Sequence, residues 1–435
     1  MSSILIKNCR WIVTQDEERS ILKNCSVYIE DGLIAEVSSK IPVEAENVID
    51  GSRMICLPGL INLHTHSPMS LLRGYADDLP LMEWLENKIW PVERKLSPYH
   101  CYLGALVSFM EMVKTGTTFF VDMYWNPIEI ARAADEIGLK GVVSIGVLDD
   151  FKSYLRDFMI REVEKFIVDV KRFSPRVIGA IGPHAPYTCS EELLLKCVDI
   201  AEREDCLLHI HLAETRREQA LFEEKFGVRE VTFLSNLGFL SPKVLAAHCV
   251  WLSKNEVKLL GESGVRVAHC PVSNMKLAVG GVAPLPELIE CGVTVGLGTD
   301  GPASNNSLDM FETMKFCSLI HKHHRWDPTM ASAQLVLDLA TINGAKAVML
   351  ENVCGRIAEG FAADLVLLNS FEVNLLPNIF PHSIVSHLVY SARGFNVSHV
   401  IVDGELIYSN GRFTRVDEGE IYSRFLSEVE KLLSP

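Results

Sequence analysis

The sequence has 435 residues, of which 48% are hydrophobic, and its formal net charge is -15 at pH 7. This length exceeds that of one small domain and fits a large domain with a smaller second unit. The negative charge opposes contact with phosphate backbones and anionic lipids, so nucleic acids and membranes are excluded as predicted partners.

Cysteine usage and apolar content indicate the compartment. The twelve cysteines are scattered and include no C-x-x-C pair, which is typical of a reducing compartment. Met1–Gln15 lack a signal-peptide pattern. The uncharged stretch Val373–Ala392 contains Pro377 and Pro381, which argues against a spanning helix. The sequence therefore predicts a cytoplasmic protein.

Short β-prone runs occur near both chain ends, interrupted by the turn pairs Asp31–Gly32 and Asp403–Gly404. The predicted strands are Ser3–Ile6, Trp11–Thr14, Ser26–Glu30, Leu33–Val37, Asn47–Asp50, Asp364–Leu368, His399–Val402 and Glu405–Ser409. Neither end has enough apolar surface to fold alone. We therefore predict one small β-sandwich that is built from both ends.

Eight apolar strand candidates lie between these two segments, and most are followed by a helical pattern. They are Leu60–Leu63, Thr117–Met123, Gly141–Val147, Val177–Ile181, Leu207–Leu212, Val244–His248, Val265–His269 and Val293–Gly298. Ser97, Ser190, Ser253 and Ser307 are predicted helix N-caps.

Eight such units predict an α/β protein with a (β/α)8 TIM-type barrel, whose active site lies at the carboxyl ends of the strands. The predicted domains are the N-terminal part of the sandwich at 1–57 and the barrel at 58–350. The C-terminal part of the sandwich, with a terminal helix, covers 351–435.

Four potential metal ligands follow the ends of three barrel strands. His64 and His66 belong to the first strand, where residues two apart share a face, His211 ends the fifth, and Asp300 follows the eighth. Three histidines and one carboxylate suit a catalytic zinc ion, although iron, manganese and cobalt accept similar ligands. We predict one divalent metal ion per chain, with zinc as the first choice.

Three residues at these strand ends could perform the chemistry. A bound metal lowers the pKa of water to about 7, and Asp300 could accept its proton. His248, which ends the sixth strand, could stabilise the attacking oxygen. Glu214 could transfer a proton to a ring nitrogen and then to the leaving group. His209 is interpreted as a core histidine bonded to backbone and is left out of the site.

Several motifs resemble those of the amidohydrolase superfamily over nearly the whole chain. They are PGLINLHTH, HLAE, AAHC, HCPVSN and GTDGPASNN. The run LLRGYADDLPLMEWL at 71–85, with WPVE at 90–93, closely resembles the methylthioadenosine/S-adenosylhomocysteine deaminases, a group that includes the 5′-deoxyadenosine deaminases. The resemblance implies hydrolytic deamination of an adenosine-type nucleoside, with release of ammonia.

The resemblance also implies roles for individual residues. The metal ligands are His64, His66, His211 and Asp300, Glu214 protonates adenine N1, and His248 lies beside the attacking water. Three more residues bind substrate: Glu93 contacts the ribose hydroxyls, His184 contacts the purine ring, and Trp84 lines the pocket. From the residues alone, Glu93 equally fits a solvated charged face beside Arg94, and Trp84 equally fits a core position.

Two departures from the family pattern matter. The fourth strand, 176–182, lacks the lysine that bridges two metals in some members of the superfamily, so a single metal is favoured. The loop after the third strand holds carboxylate-binding arginines in relatives that use S-adenosylhomocysteine. Here Arg156 and Arg161 are accompanied by Asp149, Asp150 and Asp157. We therefore predict a preference for short neutral 5′ groups, as in 5′-deoxyadenosine or methylthioadenosine.

Two other functions remain as alternatives. The same fold could hydrolyse another aminated or chlorinated heterocycle of the guanine, cytosine or s-triazine type, but a ribose-binding Glu93 is unnecessary for a free base. A non-catalytic interaction protein would have lost metal ligands, and none is missing. The H-x-E with P-C-x-x-C deaminase pattern and the nucleotide-binding glycine loops are absent. The predicted partner is a small-molecule nucleoside, and a homo-oligomer is left open.

Overall fold

The computed structural model describes residues 3–434, which form seventeen strands and sixteen α-helices. The strands are β1 (Ser3–Val13), β2 (Ile21–Glu30), β3 (Leu33–Ser38), β4 (Asn47–Asp50), β5 (Met54–Pro58), β6 (Leu60–Thr65), β7 (Thr117–Tyr124), β8 (Lys140–Val147), β9 (Val177–Pro183), β10 (Leu208–Leu212), β11 (Val244–His248), β12 (Arg266–His269), β13 (Thr294–Leu297), β14 (Leu365–Asn369), β15 (Val397–Val402), β16 (Glu405–Ser409) and β17 (Arg412–Phe413).

Most of the helices accompany the strands of the eight-stranded sheet, and one lies at the C-terminus. They are α1 (Leu81–Trp84), α2 (Trp90–Glu93), α3 (Pro98–Lys114), α4 (Pro127–Ile137), α5 (Ser153–Asp169), α6 (Glu191–Glu204), α7 (Arg216–Phe226), α8 (Glu230–Leu237), α9 (Lys254–Glu262), α10 (Pro271–Lys276), α11 (Leu285–Glu290), α12 (Met310–Arg325), α13 (Ala333–Ala340), α14 (Ile342–Ala347), α15 (Pro381–Ser386) and α16 (Glu418–Leu433). A π-helical turn, Leu85–Ile89, joins α1 to α2.

Strands β6 to β13 form a parallel eight-stranded sheet in which neighbours in space are neighbours in sequence. Hydrogen bonds connect its first strand to the segment that directly follows its last strand: the Asp300 amide donates to the His64 carbonyl at 2.9 Å, and Asn62 Nδ2 donates to Thr299 Oγ1 at 2.8 Å. The sheet is thereby closed into a barrel. The predicted (β/α)8 fold is confirmed, with all eight barrel strands.

The other nine strands come from both chain ends and form one mixed sheet, in which β14 pairs with β5. The sheet coils strongly, since the distant strands β2 and β15 share one apolar core. The Ala363 amide donates to the Gly32 carbonyl, and the Gly404 amide donates to the Ala363 carbonyl, so the two hairpin turns meet. This coiled sheet is the small β-sandwich predicted from both ends.

Both predicted hairpin turns are present. Glu30 pairs with Leu33 and Val402 pairs with Glu405. The four turn residues have φ between 45° and 85°, which is the left-handed backbone of a type I′ turn. The predicted strands 3–6 and 11–14 are one strand, β1, whose pairing is irregular between Ile6 and Cys9. Strand β5 was not predicted, because its short apolar run merges with that of β6.

Side-chain hydrogen bonds cap the N-termini of three helices at the predicted serines. Ser97, Ser190 and Ser253 accept hydrogen bonds from amides in the first turns of α3, α6 and α9. The prediction for Ser307 is wrong, because Asp309 caps α12. The predicted domain bounds at 57/58 and 350/351 stay a prediction. Among residues 3–434, no helix has the length and hydropathy that a membrane crossing requires.

Candidate active site

Four side chains converge at the carboxyl ends of the barrel strands. His66 Nε2 lies 3.2 Å from His211 Nε2 and 3.3 Å from Asp300 Oδ1. His64 Nε2 lies 3.4 Å from the same Asp300 oxygen. All except the half-buried His66 are buried. The fold therefore brings together the four residues that the sequence suggested as metal ligands.

The imidazole rings of this centre are held through their Nδ1 atoms. His66 Nδ1 lies 2.6 Å from the Met123 carbonyl, and His211 Nδ1 lies 2.7 Å from the His184 carbonyl. Each Nδ1 must therefore carry the proton, which leaves the Nε2 lone pair facing the centre. His64 Nε2 is buried without a hydrogen-bond partner, which is costly unless a ligand occupies its lone pair. Three imidazole nitrogens and one carboxylate oxygen fit a divalent metal ion.

Asp300 is oriented by its neighbours. Its Oδ2 accepts hydrogen bonds from Ser273 Oγ at 2.5 Å and Ser304 Oγ at 2.8 Å, and its Oδ1 accepts one from the Gly301 amide. Burial alone would raise the pKa of Asp300, but the adjoining imidazoles of His64 and His66 lower it well below the usual range. The carboxylate is therefore ionised and available to a metal ion or to a proton.

Glu214 and His248 lie next to this centre. Burial and the Asp300 carboxylate raise the pKa of Glu214 to about 8, so its carboxyl group carries a proton at neutral pH. His248 Nε2 is 3.9 Å from Glu214 Oε2, and its Nδ1 is 2.9 Å from Asn274 Oδ1. A protonated acid and an oriented imidazole thus lie beside the predicted metal ligands.

The backbone around Glu214 is clamped by two further acidic residues. Glu230 Oε2 accepts a hydrogen bond from the Ala213 amide at 2.9 Å, and Glu218 Oε2 accepts one from the Thr215 amide at 3.0 Å. Ala213 has a φ of 52°, a left-handed conformation that costs energy in a residue other than glycine. Glu230 lies on α8 and was not identified from the sequence.

A cavity of about 750 Å³ opens onto the centre. Its lining includes eight of the nine predicted site residues, which are His66, Trp84, Glu93, His184, His211, Glu214, His248 and Asp300. His64 lies beneath them and is fully buried. The cavity walls are otherwise largely apolar or aromatic, as in many small-molecule sites.

Glu93, Trp84 and His184 lie in the wall of this cavity. The hydroxyl of Tyr124 donates to Glu93 Oε1 at 2.5 Å, and burial raises the pKa of Glu93. Glu93 is therefore not part of a solvated charged face. Trp84 is buried and donates its indole N–H to the Ala76 carbonyl, so it is both packed and exposed to the cavity. His184 Nδ1 lies 3.0 Å from Thr188 Oγ1.

The loop after β8 differs from the expectation. Asp149 is fully buried and accepts hydrogen bonds from the amide and hydroxyl of Ser190, while Arg156 faces Asp149 and Glu192. Neither residue lines the cavity, and Arg161 and Asp157 do not line it either.

The charged groups of this loop that do line the cavity are Asp150 and Lys152, which form a 2.6 Å ion pair, and Arg94 lies in the same wall. The prediction that three aspartates repel a carboxylate tail is therefore wrong. Asp149 is turned inward by its bonds to Ser190, and Asp150 is neutralised by Lys152.

Two contacts of the site were missed from the sequence. His209 is not bonded to backbone as interpreted, because its Nε2 lies 2.8 Å from His64 Nδ1 and its Nδ1 lies 3.2 Å from Ser144 Oγ. Because His209 lies two residues before His211 and shares its strand face, the sequence could have indicated that His209 lies next to the metal ligands. Tyr124 ends a fully buried strand, and nothing local pointed to its contact with Glu93.

Comparison with known proteins agrees with this geometry. The profile of the Amidohydrolase family matches residues 55–407. A 5′-deoxyadenosine deaminase of Methanosarcina barkeri (strain Fusaro) is 41% identical over 435 residues, covering 100% of this chain and 99% of the relative. A 5-methylthioadenosine/S-adenosylhomocysteine deaminase of Thermococcus sibiricus is 46% identical over 406 residues, covering 93% and 94%.

A similar solved structure is an adenosine deaminase from Xanthomonas campestris with bound zinc. It superimposes with a TM-score of 0.94 at 29% sequence identity, covering 100% of this chain and 99% of that one. The agreement extends over both the barrel and the small sheet.

Proposed function

This chain belongs to the amidohydrolase family, and we propose that it hydrolyses the 6-amino group of an adenosine-type nucleoside. The products are the corresponding inosine analogue and ammonia. The candidate substrates are 5′-deoxyadenosine, 5′-methylthioadenosine, S-adenosylhomocysteine and adenosine. The names of relatives that are 41% and 46% identical over nearly the whole chain support this substrate class.

One observation carries the proposal. A set of three imidazoles and one carboxylate opens into a cavity that also contains a protonated acid, Glu214, and a second carboxylate, Glu93. The three imidazoles and the carboxylate suit hydrolysis by an activated water, and Glu214 suits protonation of a purine ring nitrogen. Glu93 adds an acceptor for ribose hydroxyls, which a free base does not need.

The resident metal is proposed to be zinc, one ion per chain. His64, His66, His211 and Asp300 would hold it, and the bound ion would supply a water of lowered pKa as the nucleophile. The zinc in the similar structure from Xanthomonas campestris supports this choice of metal.

The side chains of the pocket complete the reaction. Glu214 donates its proton to N1 of the purine, which makes C6 electrophilic. Water adds to C6 while Asp300 accepts a proton from it, and His248 donates a hydrogen bond to the attacking oxygen. Glu214 then takes the hydroxyl proton at C6 and transfers it to the amino group, so that the C6–N bond breaks and ammonia leaves, and the proton on Asp300 returns to Glu214. Nucleoside and water thus give the 6-oxo product and ammonia.

A substrate panel tests the proposal. Ammonia release is measured for the four candidate nucleosides and for adenine, guanine, cytosine and a chlorotriazine. Turnover of the adenosine-type nucleosides, with little from the free bases, supports the proposed function. Turnover of only a free base or a triazine would favour the alternative heterocycle hydrolase. S-adenosylhomocysteine belongs in the panel, because the charge argument against its tail no longer holds.

A further inference from the structure

The three ligand histidines are not anchored alike. His66 and His211 each direct Nδ1 at a backbone carbonyl, whereas His64 directs Nδ1 at the imidazole of His209, 2.8 Å away. His64 lies inside the barrel, where strand carbonyls are largely used by neighbouring strands. A side chain must therefore accept its Nδ1 proton.

His209 is itself held by a third strand. Its Nδ1 lies 3.2 Å from Ser144 Oγ, and His64, Ser144 and His209 belong to β6, β8 and β10. In a TIM barrel, alternate strands contribute the side chains of one interior layer. These three residues occupy such a layer, directly beneath the predicted metal centre, and His64, Ser144 and His209 are all fully buried.

In the hydrogen-bond chain from His64 through His209 to Ser144, both protons are donated in the same direction, away from the predicted metal centre. If His64 Nε2 offers its lone pair to a metal, His64 Nδ1 carries the proton and donates to His209 Nε2. His209 Nδ1 then carries the second proton and donates to Ser144 Oγ. A ligand imidazole with its other nitrogen bonded in this way is fixed in tautomer and orientation.

We propose that His209 is a positioning residue, which holds His64 in the orientation and tautomer that bind the metal ion. The proposal rests on the metal centre of the proposed function. His209 contacts neither the substrate cavity nor the remaining ligands through hydrogen bonds, so its effect passes through His64 alone. The readout that isolates this effect is metal affinity, measured separately from turnover.

The experiment compares zinc binding to chelator-treated protein, by competition with a chromogenic chelator. His209→Phe keeps a ring but removes the acceptor, and we expect zinc to bind roughly 10–100-fold more weakly. His209→Gln places an amide oxygen where it can accept from His64, and we expect it to regain most of the affinity. Ser144→Ala leaves His209 Nδ1 without its acceptor and is expected to cause a smaller loss.

The matched control is His399→Phe. His399 is a buried histidine of β15 in the mixed sheet, away from the four predicted ligands. We expect it to lower the thermal unfolding temperature without changing zinc affinity. Wild-type affinity in His209→Phe, or an equal loss in His399→Phe, would overturn the proposal. If His209→Phe does not fold, unchanged affinity in Ser144→Ala would overturn it. Failure of the wild-type protein to bind zinc would instead refute the metal centre.

Discussion

Proton transfer in the proposed reaction depends on Glu214, whose carboxyl group is buried beside Asp300. Glu214→Gln removes the acid but keeps the shape and leaves the metal ligands in place. We expect kcat to fall by about 10²–10⁴-fold, the usual contribution of a positioned acid, with metal content unchanged. Ammonia release and elemental analysis check both expectations. Glu223→Gln, on the exposed face of α7, is the control; normal turnover by Glu214→Gln would refute the proton-shuttle assignment.

The proposed function assigns ribose recognition to Glu93. Glu93→Ala is expected to lower kcat/KM for ribonucleosides by about 10–150-fold, because a hydrogen bond to a charged group contributes roughly 1.5–3 kcal/mol. Any slow turnover of free adenine should change little. Glu86→Ala, an exposed change in the same helical segment, is the control. An equal loss for adenine and adenosine would show that Glu93 acts on the pocket as a whole and not on the ribose.

Among the elements, the segment from α1 to α2 determines where Trp84 and Glu93 point. The π-helical turn Leu85–Ile89 inserts one residue into this helix and ends two residues before Pro91. A proline ring collides with the carbonyl four residues earlier, so a regular α-helix is disfavoured there. Such π-turns are frequent at functional sites. Here the extra residue sets the angle between the two pocket side chains.

Deletion of Asn87 tests this function of the π-turn. Removing one residue restores α-helical hydrogen bonding, in which Pro91 collides with the carbonyl four residues earlier, and the resulting distortion of α2 carries Glu93 away from the proposed ribose position. We expect kcat/KM for ribonucleosides to fall as in Glu93→Ala, while metal content stays close to that of the wild type. The substitution Asn87→Ala keeps the residue count and should have no effect. Wild-type kinetics in the deletion variant would contradict the assignment.

For the whole molecule, the predicted metal connects β6, β10 and the segment after β13, which are far apart in sequence. Purified protein should contain about one divalent ion per chain. A ligand that binds only the folded state stabilises it, by about 4 kcal/mol at a thousandfold excess over Kd. Chelation should therefore lower the unfolding temperature, as measured by calorimetry.

His66→Ala should abolish both the bound metal and the activity. His324→Ala, at an exposed position near the end of α12, should change neither. Two tightly bound ions per chain, or full activity of the His66→Ala variant, would rule out the single-metal centre.

The eight barrel strands, the hairpin turns and the predicted ligands could be identified from the sequence by itself. Apolar runs, Asp–Gly pairs and serine N-caps are local signals, because each depends on residues that lie within a few positions of one another in the chain. The rule that parallel strands of a barrel end on one side then places His64, His211 and Asp300 together. These features are local, or follow from one general property of the fold.

Only the tertiary structure decided how the site is supported and which charges face the cavity. His209 contacts His64 and Ser144, Tyr124 contacts Glu93, and Glu230 holds the Ala213 amide, although each pair is distant in sequence. Asp149 is turned inward by Ser190, 41 residues away, which overturned the charge argument about the 5′ group. Such contacts depend on the three-dimensional packing of separate elements, so no local pattern in the chain encodes them.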